Sequence, residues 1–109
     1  MARDDDLQLL LSIQRGLLGQ VTAGLRGVSA DVDAERRRIS LRFIFSRPPS
    51  DSEQDATSIA ATLVIADYSE REGWQFDEEY HVVPDDERMN PLRLLAFQRC
   101  EDEWVGPCT

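Results

Sequence analysis

The chain has 109 residues, room for one domain, and its 41% hydrophobic and 30% charged residues argue against wholesale disorder. Its net charge is −9, with eight arginines against six acids in residues 1–50 and four against 15 in residues 51–109. Such a chain repels nucleic-acid phosphates, so nucleic acid is not expected as a partner, and a basic protein is the natural counterpart, with plain solubility the competing explanation.

All 12 basic residues are arginine, a bias that fits GC-rich bacterial coding better than a function. The opening Met1-Ala2-Arg3-Asp4-Asp5-Asp6 lacks the basic start and apolar core of a secretory signal. No apolar run approaches the roughly 20 residues that span a bilayer, so a cytoplasmic chain without membrane contact is expected. There Cys100 and Cys108 need not be bridged.

The first predicted element is a helix over about residues 5–19, with Leu7, Leu10, Leu11, Leu17, Leu18 and Val21 as its apolar stripe. Asp4, Asp5 and Asp6 suit its positive N-terminal end, and Gly19 its stop. Two strands follow, about 25–33 and 37–46. Val28, Ala30 and Val32 alternate with polar residues in the first, as do Ile39, Leu41, Phe43 and Phe45 in the second. Asp33–Arg36 can join them as a hairpin. After Pro48-Pro49, Ser50 and Glu53 fit a capping box opening a second helix to about residue 69, with Ala56, Ile59, Ala60, Leu63 and Val64 inward.

A third strand is expected over 74–83, with Trp74, Phe76, Tyr80 and Val82 on one face and Asp77, Glu79 and His81 on the other. Glu78 interrupts the apolar face, which suits a bulge or a sheet edge. A loop from Pro84 to Pro91 leads to a fourth strand, about 92–100, and a tail, 101–109. The order α-β-β-α-β-β predicts a single α+β domain over 1–100: a four-stranded, largely antiparallel sheet with both helices on one face. The opposite face is expected to be solvated or used for binding. The two αββ halves look like a structural repeat.

Most chemistry that a small domain can carry is missing. His81 is the only histidine, so no metal set forms around it with Asp77 and Glu79, and no cofactor or nucleotide signature is present. No nucleophile has a recognisable setting, and a non-catalytic chain is expected; a small enzyme or ligand-binding protein with a pocket between sheet and helices is the alternative. Asp67 falls on the inner side of the second helix, either as a site carboxylate or as an acid bonded to an amide or an arginine. What stands out is residues 67–87, nine acids against Arg71 alone, interleaved with Tyr68, Trp74, Phe76 and Tyr80. Acids that steer and aromatics that anchor suit a protein-binding face. Trp74 and Phe76 are assigned to the core, and Glu79, His81, Asp85, Asp86 and Glu87 to the partner-binding surface.

Leu9-Leu10-Leu11, Gln14-Arg15, Leu17-Leu18-Gly19 and Val21-Thr22, then Ala60, Thr62, Val64-Ile65-Ala66-Asp67-Tyr68 and Glu79-Tyr80, resemble a group of small uncharacterised bacterial proteins. In size, acidity and architecture the chain is also similar to immunity proteins of contact-dependent growth inhibition and related toxin systems. That likeness implies a protein that covers a cognate toxin's active site, and it carries no functional residue with it.

Overall fold

The computed structural model describes residues 2–68 and 73–99. They form helix α1 (Ala2–Leu17), strands β1 (Leu25–Asp33) and β2 (Arg38–Phe45), helix α2 (Asp51–Asp67), and strands β3 (Gln75–Val82) and β4 (Leu94–Gln98). Cys100, Cys108 and the tail expected over 101–109 lie outside the described residues. The α+β class and the element order agree with expectation, and the sheet is mixed, in the order β3-β2-β1-β4.

Local signals account for several boundaries. Ser50 caps α2, its hydroxyl accepting from the Glu53 N–H (3.2 Å) while Glu53 returns the bond to the Ser50 N–H (3.0 Å). In the β1–β2 hairpin, Val28, Ala30 and Val32 pair with Phe43, Leu41 and Ile39, which brings both apolar rows onto one face. There Ile39, Leu41, Phe43 and Phe45 are buried in a single cluster with Leu9, Ile13 and Leu17 of α1 and Ala60, Ala61 and Val64 of α2. These side chains form the layer between the sheet and the two helices.

The helical stripes differ from those expected. On α1 the buried residues include Leu9, Ser12, Ile13, Gly16 and Leu17, while Leu7 and Leu11 are exposed, as are Leu18 and Val21 beyond its end. On α2 they are Glu53, Ala56, Thr57, Ala60, Ala61 and Val64, with Ile59 and Leu63 outside. Close helix approach is the physical reason. A Cβ on Gly16 would lie 2.8 Å from the Ala60 carbonyl oxygen, so the seam admits only small residues and turns the bulky ones out. Gly16→Ala should therefore destabilise the protein by about 1–3 kcal/mol, despite the roughly 1 kcal/mol that alanine gains in helix propensity. Urea denaturation checks this; a more stable variant would mean that the helices separate freely.

The second half does not repeat the first. β2 and β3 run parallel, joined through α2, whereas β4 pairs antiparallel with β1 at the far edge. The connection between β3 and β4, residues 83–93, therefore crosses the sheet on the face away from the helices. Arg26, buried in β1, donates through Nη1 to the carbonyls of Val83 (3.1 Å) and Pro84 (3.0 Å). Met89 lies over Gly27, Arg42 donates to the Asn90 carbonyl, and the Leu92 N–H donates to Ser29 Oγ (2.9 Å). Leu25–Ala30 are thus buried on both faces, as is Ile44. The face expected to be open is largely covered, because a chain leaving one edge for the other must travel over the strands between.

Candidate partner-binding surface

β3 is an edge strand, as the interruption at Glu78 suggests, and its register with β2 runs from Arg38↔Gln75 to Phe45↔Val82 without a bulge. Its even-numbered side chains share the row of Ile39, Leu41, Phe43 and Phe45. Phe76 and Trp74 pack against the buried Tyr68 ring, with centroids 5.9 and 5.4 Å away, so both belong to the core as assigned. Tyr80 stacks on Phe43 at 5.6 Å and Phe45 at 6.4 Å, yet remains 44% exposed, and Val82 is 47% exposed. Its hydroxyl donates to Glu78 Oε2 (3.3 Å).

The odd-numbered side chains of β3 meet arginines of β2. Asp77 pairs with Arg38 at 3.5 Å. Glu79 accepts from Arg42 Nε (3.0 Å) and Nη2 (2.9 Å), and its Oε1 lies 2.9 Å from His81 Nε2. The hydrogen bond with His81, and then Arg42, hold the Glu79 carboxyl below its usual range despite partial burial. Beyond β3, Asp85 is bonded to Arg99. Asp86 and Glu87 are exposed.

The five assigned residues therefore do not form one cluster. Glu79 and His81 come together, Asp85 is tied to Arg99, and Asp86 and Glu87 stand apart from both pairs. The arginine partners were the missed component. Arg38 and Arg42 alternate on the polar face of β2 as Asp77 and Glu79 do on β3, a matching pattern visible in the residues once the parallel register is known. Much of the charge imbalance between the halves closes inside the molecule, since Arg15–Asp67 and Arg47–Glu53 join the halves as well.

Asp67 accepts from Ser12 Oγ (2.5 Å) and Arg15 Nη2 (2.8 Å), and Ser12 first, then Arg15, hold its carboxyl low. It is the arginine-bonded acid of the two readings, in an open concavity lined by Gln8, Leu11, Ser12, Arg15 and Tyr68. Glu53 is the most constrained carboxylate. Buried beside Arg47, it accepts from the N–H groups of Gly24 (2.9 Å) and Ser50 and from Arg47 Nη1 (2.7 Å). These bonds, that from Ser50 foremost, pull its pKa down to about 2. Among the described residues, no group of three His, Cys, Asp or Glu side chains is placed to hold a metal, and no helix is long and apolar enough to cross a membrane.

The family model of the MafI2 immunity protein matches residues 6–101, from the first turns of α1 past the end of β4. The chain belongs to the MafI2 immunity protein family. A comparison with curated proteins found no match. Membership agrees with the resemblance to toxin-immunity proteins, and with the expectation of a chain that binds a protein rather than catalysing a reaction. A MafI2 immunity protein has a toxin as its partner, so the surfaces of interest are those open to another protein.

Proposed function

We propose that this MafI2 immunity protein is a stoichiometric inhibitor of a basic toxin, acting in the cytoplasm, and that β3 with the turn after it forms its recognition surface. The observation that carries this reading is what remains once the internal ion pairs are set aside. Glu78, Asp86 and Glu87 have no arginine partner among the described residues, and they share this stretch of chain with exposed Tyr80 and Val82. Free carboxylates steer a basic partner from a distance, and a half-exposed aromatic held by stacking anchors it on contact. Glu79, with His81 against it, supports this surface by tying β3 to Arg42 of β2, and Asp85 ties the turn to Arg99 beyond β4.

A variant with Glu78→Gln, Asp86→Asn and Glu87→Gln tests it. Association with the cognate toxin, identified by affinity capture with the parent chain and followed by stopped flow, should slow by about tenfold at low salt and lose much of its salt dependence. An association rate and salt slope equal to the parent's would assign the acidity to solubility.

A further inference from the structure

The two edges of the sheet are built differently. β4 has five residues, is bulged at Ala96, and is held from α1 by Gln14, whose amide donates to the Ala96 carbonyl. Short length, a bulge and cover from a helix are the usual means of keeping an edge from pairing with another chain. β3 has eight residues, an unbroken register, no proline and no lysine.

Its outward backbone groups can be named. The Gln75 N–H donates to the Arg37 carbonyl and the Val83 N–H to the Phe45 carbonyl, so odd-numbered residues turn their backbone toward β2. Phe76, Glu78, Tyr80 and Val82 therefore turn theirs outward, where no described strand lies beyond them.

We propose that an extended, basic segment of the toxin adds to this edge as a fifth strand. The inference rests on reading the chain as a toxin inhibitor. Charge selects the occupant. Asp77, Glu78 and Glu79 lie in the middle of β3, so full-length pairing of β3 with a second copy sets acid against acid. Glu78 stands in an otherwise apolar row, where its charge is costly to desolvate against an apolar strand, repels an acidic one and favours a basic residue opposite. Main-chain bonds to the edge supply affinity, while Tyr80 and Val82 favour apolar residues opposite them and Glu78 a basic one.

Amide exchange in the free chain and in its complex with the captured cognate toxin tests this directly. The N–H groups of Phe76, Glu78, Tyr80 and Val82 should exchange about tenfold or more slowly in the complex, while those of Asp77, Glu79 and His81 are already protected in the free chain. Glu78→Pro, which removes an outward N–H and leaves the bonds to β2, should weaken binding by about tenfold or more, and Glu78→Gln by only about threefold. A toxin bound and inhibited with exchange unchanged at those four amides overturns the edge and leaves the inhibitor reading standing. Failure to form any complex with the toxin overturns both. Protection of the same amides in a free chain that sediments as a dimer gives the edge to a second copy and overturns the proposal.

Discussion

Phe43→Ala is expected to cost about 3–5 kcal/mol, the range for deleting a fully buried aromatic ring. Phe43 is 2% exposed, sits in the cluster that holds residues of both helices, and carries the Tyr80 ring on its edge-strand side. The substitution leaves a cavity in that cluster, and the close approach of α1 to α2 at Gly16 and Ala60 limits how far the two helices can shift to fill it. Against a typical domain stability of about 5–15 kcal/mol, such a loss leaves little margin. Chemical denaturation measures it, and a loss below about 1 kcal/mol would place this face of β2 in solvent and overturn the layer arrangement.

Stability should also fall steeply in acid, with Glu53 the largest single contributor. Its pKa is about 2 in the folded protein against an ordinary 4.5. A depressed carboxylate stabilises the fold above its unfolded value, and that contribution disappears as pH falls through 4.5 toward 2. The difference corresponds to roughly 3 kcal/mol, lost across that window. Asp67 and Glu79 act with the same sign, because both are held low by their partners. In Glu53→Gln the amide keeps the shape and loses the charge-assisted bonds to Arg47 and the two backbone N–H groups. Denaturation of parent and variant should show a gap of a few kcal/mol at pH 6 that closes toward pH 2. A gap independent of pH would locate the role of Glu53 in packing rather than charge.

Where a signal was local, it could be read from the residues. The capping box at Ser50 and Glu53, the alternation of β2, and the interruption at Glu78 that suits an edge are each set by neighbours in sequence. The helical stripes were not legible, because leucine at 7, 9, 10, 11, 17 and 18 offers more than one apolar face to a helix. Gly16 against Ala60 selects among them, and that contact exists only once α1 and α2 meet. The largely antiparallel sheet is as expected, with β1 antiparallel to β2 and β4; which pair is parallel, β2–β3, could not be read, since register between distant strands leaves no mark in either strand alone. The same gap concealed the arginine partners of Asp77 and Glu79. Among the residues assigned to the partner surface, Asp86 and Glu87 have no arginine partner among the described residues, Glu79 and Asp85 are paired with Arg42 and Arg99, and His81 lies against Glu79.

The path of the β3–β4 connection also governs when the molecule can be finished. Gly27 pairs with Gln98, and Arg26 and Ser29 find their partners in residues 83–92, so β1 is completed only by residues far along the sequence. Non-local pairings of this kind slow folding, because a long loop must close before its contacts stabilise anything. The β1–β2 hairpin and the β2–β3 pair join segments nearer in sequence than β1 and β4, whose pairing also brings the cover over Gly27. The free edge of β3 is therefore expected to form before β1 gains its second neighbour, which refolding followed by amide exchange would show.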